Sequence, residues 1–160
     1  YISRALFKDA VSVLSLDDGN KNPAATLKVS TAGKLTYSDL VSFWNGFDPY
    51  ELNTVIASPD IAAAILNMSE MRDAAAGLNF HATGKAVTPL GANMLKSSAA
   101  QAGTLIGLDK NCSLEMVEAG GILTEYDKLI DRQIERAAIT QTAGFSKIFT
   151  EASKILTTKA

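Results

Sequence analysis

The chain has 160 residues, of which 47% are hydrophobic and 20% are charged, and its formal net charge is −2. This composition fits one globular domain, or one domain with pieces of a neighbour, and excludes a disordered chain. The acidic balance, with a sequence pI of 5.4, excludes the strong basic surface that is typical of nucleic-acid binding. The longest apolar runs fall short of the roughly 18 residues that a membrane span requires, so we expect no membrane partner.

One cysteine and one histidine limit the chemistry that the chain can support. A nucleophile–base pair of Cys112 and His81 would need the two side chains in contact, and no recognisable motif surrounds either residue. With a single histidine and a single cysteine, the chain also has few of the side chains that usually bind zinc. Glu115 and Glu118 could pair as carboxylates, but such pairs are common where nothing is catalysed. We therefore expect no catalytic residue, no metal site and no cofactor.

The first part of the chain predicts a helix, a strand and a second helix. Residues 2–14 carry apolar side chains at helical spacing, and the turn cluster "DDGN" (17–20) ends that helix. A strand is predicted at 25–30, followed by the turn "TAGK". The next short helix begins after Thr36, a residue type favoured as an N-cap.

Phe43, Trp44 and Phe47 form an aromatic cluster on this short helix. Aromatic side chains of this kind usually pack into a core, and the alternative is a contact with another subunit. The sequence leaves both interpretations open.

The clearest local signal is "NTVIASPDIAAAIL" (53–66). A β-branched strand at 54–57 runs into Ser58 as an N-cap, and Pro59 occupies the first helical position. A second short helix is predicted at 69–77, which ends at a glycine.

From residue 78 the pattern changes to strands and turns. Apolar segments at 88–98, 103–109 and 113–120 are separated by glycines, and a last short strand is predicted at 153–158. The sequence therefore predicts an α+β fold with helices early and strands late.

The stretch "EYDKLIDRQIERAAITQTAGFSKIF" (125–149) fits two periods. As a helix it stacks like charges four residues apart, which costs about 0.2–0.5 kcal/mol per pair. As a strand it is acidic on one face and basic with isoleucines on the other, because side chains alternate. Such a strand makes sense if its faces meet complementary charges on copies of the chain. The candidate interface residues are Asp127, Lys128, Asp131, Arg132, Glu135 and Arg136.

Three segments, in this order, resemble the C-terminal half of a tailed-bacteriophage major capsid protein with the Hong Kong 97 fold, which encapsulin nanocompartments also use. They are "FDPYELNTVIASPDIAAAIL", "LGANMLKSSAAQAGTLIGLDKNCSLEMV" and "EYDKLIDRQIERAAITQTAGFSKIFTEASKIL". None is a catalytic signature, and the resemblance rests on their order and character. It extends over essentially the whole chain.

The resemblance implies a mixed central sheet flanked by short helices, plus a long peripheral strand, with the family's N-terminal arm and extended loop missing. Residues 1–19 would end the spine helix of the peripheral domain, and 20–124 would form the axial domain. Residues 125–149 would be the long strand region of the peripheral domain, and 150–160 would close the axial domain. On this layout 125–149 is a strand. Because the arm and loop that clasp neighbours are missing, we expect this chain alone to be monomeric or weakly associated.

The function that the resemblance implies is structural. The full-length subunit would self-assemble through hexamers and pentamers into the icosahedral head of a phage or prophage, in the bacterial cytoplasm, around double-stranded DNA bound without sequence specificity. Scaffold, maturation protease and portal proteins are the further partners implied. One branch of the family crosslinks Lys to Asn with the help of a Glu. Glu135 lies in the right kind of strand, but residues 121–160 contain no Asn, so we do not transfer that chemistry.

Two alternatives remain at this point. An encapsulin-like shell would use the same fold around a cargo enzyme. A small α+β enzyme or ligand-binding domain would need convergent polar residues around an activated group, and the sequence offers none.

Overall fold

The computed structural model describes residues 2–16, 19–72, 86–87, 90–129 and 134–159. In chain order its elements are α1 (Ile2–Ser15), β1 (Ala25–Lys28), α2 (Tyr37–Asn45), β2 (Thr54–Ala57), α3 (Pro59–Leu66), α4 (Ser69–Arg72), β3 (Ala86–Val87), β4 (Asn93–Lys96), β5 (Thr104–Leu108), β6 (Leu114–Leu129), β7 (Ile134–Lys147), a 3-10 turn (Thr150–Ala152) and β8 (Ser153–Thr157). The predicted α+β class is confirmed. No helix in these ranges is long and apolar enough to span a membrane.

Six strands form a mixed sheet in the order β1-β8-β5-β2-β4-β3. Strands β1, β8, β2 and β4 point in one direction, and β5 and β3 point in the other. On one face, Phe43 of α2 and Ile65 of α3 pack against Leu105. On the other face, Val11 of α1 packs in a cluster with Ile106. The sheet and its three main helices, which we call the body, therefore have a core on both faces.

The loop after β1 is fastened to the start of α2 by the buried carboxylate of Asp39. One carboxylate oxygen accepts hydrogen bonds from the Ser30 backbone N and Oγ at 3.0 and 2.6 Å, and the other accepts from the Thr36 N and Oγ1 at 3.0 and 2.6 Å. Thr36 is the N-cap that the sequence predicts, and it forms a capping box with Asp39. Burial opposes ionisation, but the hydrogen bonds from Ser30 and Thr36 outweigh it and lower the pKa of Asp39 to about 2.

The predicted strand and helix around Ser58 are confirmed as β2 and α3, with Pro59 as the first helical residue. The aromatic cluster divides. Phe43 and Phe47 are buried and meet edge to face, with ring centroids 5.2 Å apart, whereas Trp44 stays 49% exposed. The core interpretation thus holds for the two phenylalanines, and Trp44 is left at the surface.

The prediction of one long strand over 125–149 is wrong. Strand β6 crosses the predicted boundary between 124 and 125 and ends at Leu129, and β7 begins at Ile134 and runs antiparallel to it. The register places Asp127 opposite Arg136 on one face and Lys128 opposite Glu135 on the other, so each of these cross-strand pairs joins an acid and a base. Cross-strand pairs of opposite charge stabilise a hairpin, and a single-strand period cannot reveal them.

Candidate subunit interface

Strands β6 and β7 form a two-stranded sheet of their own, which we call the arm. At its base, β7 packs against α1. Along β7, Gln141, Ala143 and Phe145 are half-buried and Lys147 is buried, whereas the residues between them are exposed. We call the face that bears Phe145 the inner face and the opposite one the outer face. The Nζ of Lys147 also donates a hydrogen bond to the carbonyl of Asn22 at 2.7 Å, which ties the base to the body.

A glycine bulge separates this anchored base from the distal part of the arm. The register shifts between Ala119 and Ile122, and Gly120 and Gly121 have φ values of 78° and 69°. Positive φ favours glycine, and no atom lies within 4 Å of a Cβ built at either position, so backbone conformation and not close packing selects these residues. Past the bulge, residues 122–128 and 134–140 are all exposed. The distal arm therefore stands clear of the body.

Large apolar side chains are exposed on both faces of the arm. Register and alternation place Ile122, Tyr126 and Ile139 on the inner face beyond the bulge, and Val117, Leu123 and Ile134 on the outer face. Tyr126 is 82% exposed and Ile122 is 63% exposed. A two-stranded hairpin is only marginally stable in water, and clustered exposed apolar residues mark interaction surfaces. The arm has the properties of a segment that a partner covers.

The predicted charged residues pair within the chain. Arg136 donates to the Asp127 carboxylate from Nε at 3.1 Å and from Nη2 at 2.6 Å on the outer face. On the inner face, the Lys128 Nζ lies 3.3 Å from Glu135 Oε1. More than half of each of these side chains is exposed, so each pair is worth about 0–1 kcal/mol. Their role in contacts between subunits stays a prediction.

Two of the six candidates, Asp131 and Arg132, lie outside the described residues. His81 also lies outside them, so its pairing with Cys112, which is half-buried, stays untested. Within the described residues, no group of three His, Cys, Asp or Glu side chains is placed to hold a metal ion.

Sequence reasoning missed the apolar residues of the arm. Ile122, Thr124 and Tyr126 alternate as a strand, and the pair Gly120–Gly121 just before them was a signal for a bulge. The same register puts Glu115 and Glu118 on opposite faces, so they do not form a carboxylate pair. Glu118 instead accepts a hydrogen bond from Gln141 Nε2 at 2.7 Å.

The arrangement of sheet, helices and arm is similar to that of several solved structures. A structure from Mycobacterium phage Che8 matches with a TM-score of 0.71 and 14% identity, over 98% of this chain and 60% of that one. The capsid of an empty GTA particle matches with a TM-score of 0.69 and 14% identity, over 99% of this chain and 64% of that one. The chain has the Hong Kong 97 capsid fold.

The same capsid fold occurs in the holo-SrpI encapsulin complex from Synechococcus elongatus PCC 7942, which matches with a TM-score of 0.66 and 12% identity over 99% of this chain and 62% of that one. No protein-family model and no curated protein matches the chain. The chain spans 60 to 64% of the length of these three structures. The predicted fold is therefore confirmed. A structural similarity at this level of sequence identity establishes the fold but does not establish the function.

Proposed function

We propose that the chain is a structural, non-catalytic subunit of a self-assembling protein shell. The observation that carries this proposal is the arm, because it is anchored at its base and exposes apolar side chains on both faces. The likeness of fold to phage, GTA and encapsulin shells supports it.

The mechanism is geometric. Covering an exposed apolar side chain of the arm stabilises a contact by up to about 1.5–3 kcal/mol, more than either exposed ion pair contributes. Beyond the bulge, β6 and β7 each have one edge with no neighbouring strand in the described sheet, and a strand of another subunit can pair with such an edge. A contact between different surfaces of identical copies closes into rings when its rotation allows it. Individually weak contacts let misplaced subunits leave before a shell closes.

We propose further that this shell is the head of a tailed phage, which is built from hexamers and pentamers in the bacterial cytoplasm and encloses double-stranded DNA, with scaffold, protease and portal proteins as partners. The alternative is an encapsulin compartment, and the similarity of fold to the SrpI encapsulin complex supports it. The contents of purified particles separate the two. Nuclease-protected DNA supports the phage head, whereas one co-purifying cargo protein and no DNA supports the encapsulin.

The shell proposal is tested by removing the apolar contacts of the distal arm in the longest natural protein that contains this chain. We expect Ile122→Ser combined with Tyr126→Ser to leave the thermal unfolding midpoint almost unchanged, because both side chains are exposed. Assembly should fall at least tenfold, measured by sedimentation and negative-stain electron microscopy.

Leu16→Ser is the control, since Leu16 is 66% exposed and lines a cavity formed by body residues such as Thr26, Gln101 and Thr157. Normal particles from the double variant would contradict the role of the arm. An unaltered protein that stays monomeric at high concentration, with and without candidate scaffold proteins, would contradict the shell proposal itself.

A further inference from the structure

The body carries a second surface suited to a partner, formed by residues outside the arm. A cleft of 720 Å³ opens beside the C-terminal end of α2 and the starts of β2 and β4. Its lining includes Trp44, Asp48, Tyr50, Glu51 and Leu90. The cleft is thus acidic and aromatic.

Two carboxylates give the cleft a negative charge. Asp48 and Glu51 are exposed, and neither forms an ion pair in the described part of the chain. One lysine at this end of the sheet is engaged by other groups. The Lys154 Nζ donates to the Gly46 carbonyl and lies 5.4 Å from the Phe47 ring centroid.

Two aromatic rings stand beside these carboxylates. Trp44 is 49% exposed, and the ring of Tyr50 is held against Phe149 with centroids 5.9 Å apart. Carboxylates bind cations through charge-assisted hydrogen bonds, and aromatic faces attract them through the ring quadrupole. The chemistry of the cleft therefore fits a lysine or arginine side chain.

The polarity of the sheet places suitable cations at its opposite end. The cleft lies where β2 and β4 begin. Because β1 and β8 run in the same direction as β2 and β4, all four strands end at the opposite end of the sheet, and exposed lysines lie there. They are Lys28 at the end of β1, Lys96 at the end of β4, Lys34 in the turn after β1, and Lys159 after β8. None of them forms an ion pair within the described residues. Strands of this length separate the two ends by roughly 15 Å, so the cleft cannot be filled by these lysines of its own chain.

We propose that the cleft receives a lysine from the opposite end of the sheet of a second copy of this chain. The contact is heterologous, because it joins two different surfaces of identical subunits, and its repetition yields a ring or a row. It deepens the proposed shell function and rests on it, but it uses the body and not the arm.

Zero-length carbodiimide cross-linking tests the contact directly. Copies of the protein labelled with ¹⁴N and with ¹⁵N are mixed at high concentration, coupled and digested, and peptides that join the two labels are identified by mass spectrometry. We expect mixed-label links from Asp48 or Glu51 to Lys28, Lys34, Lys96 or Lys159. Mixed-label links elsewhere, without these, would overturn the cleft contact and leave self-assembly standing. No mixed-label link at all would overturn both proposals.

Charge reversal gives an independent measurement. Asp48→Lys together with Glu51→Lys should weaken self-association about tenfold in sedimentation equilibrium, because the incoming lysine loses two carboxylate partners and meets like charge. Lys28→Glu with Lys34→Glu, added to the same chain, should restore part of the loss. Asp9→Lys with Glu70→Lys is the control, because it makes the same change in net charge at exposed positions outside the cleft and the arm. Equal weakening by the control would show a general effect of charge and contradict the proposal.

Discussion

The body and the arm differ in how far they bury their apolar side chains. In the body, a sheet of short strands is covered on both faces, and its largest fully buried side chains include Phe43, Ile65 and Ile106. In the arm, two long strands bury side chains only where β7 meets α1. The body can thus complete its own core, whereas the arm is left for another molecule to cover. Substitutions should therefore act on folding in the body and on association in the arm.

The same substitution at one glycine of each region is the strongest test of that contrast. A Cβ at Gly107 in β5 would lie 2.5 Å from the Phe43 Cε1 and 2.7 Å from the Leu52 Cδ1, both in the core. We expect Gly107→Val to lower the free energy of unfolding by about 3 kcal/mol through overpacking. Urea titration followed by circular dichroism measures the loss.

The matched control is Gly144→Val in the arm. Gly144 lies in β7 with ordinary strand φ, and no atom lies within 4 Å of a Cβ built there. Valine also suits a strand, so the free energy of unfolding should change by less than about 0.5 kcal/mol. Similar losses for both variants would contradict the division between body and arm.

The acid stability of the body should depend on Asp39. Its pKa is lowered in the folded state from 3.8 to about 2, so the stabilisation is complete above the unfolded pKa and is lost as the pH falls through the folded pKa. We expect a loss of about 2 kcal/mol from this group between pH 5 and pH 2. In Asp39→Asn, which is less stable at neutral pH, the decline over the same range should be smaller by that amount. Denaturant titrations at several pH values measure it, and an unchanged decline would show that the hydrogen bonds to Asp39 do not stabilise the loop.

The smallest effect is expected from the ion pairs of the arm. Asp127→Ala, Arg136→Ala and the double variant form a cycle for the pair on the outer face. Because both side chains are more than half exposed, the coupling free energy should be below about 1 kcal/mol and should shrink further in 1 M salt. The free energy of unfolding and the assembly yield would both be measured. If these variants reduced assembly more than the Ile122 and Tyr126 double variant does, the charged residues would be the main subunit contacts, as the sequence predicts.

Local signals in the sequence were reliable where neighbouring residues decide the conformation. The strand at 54–57, the helix that begins at Pro59 and the N-cap at Thr36 follow from β-branching, from the fixed φ of proline and from a side chain that satisfies free backbone N–H groups. These effects act over a few residues, and therefore a linear pattern contains them.

What the sequence alone determined is the α+β class, most of the strands and helices of the body and the strand character of 125–129 and 134–147. Only the tertiary structure decided that β6 and β7 pair with each other, since the choice between one long strand and a hairpin depends on cross-strand pairing, which the period of a single strand does not contain. The same pairing brings Asp127 to Arg136 and exposes Ile122 and Tyr126. The acidic cleft and the lysines at the other end of the sheet likewise come from segments distant in sequence, because strand order and direction are settled when the core packs.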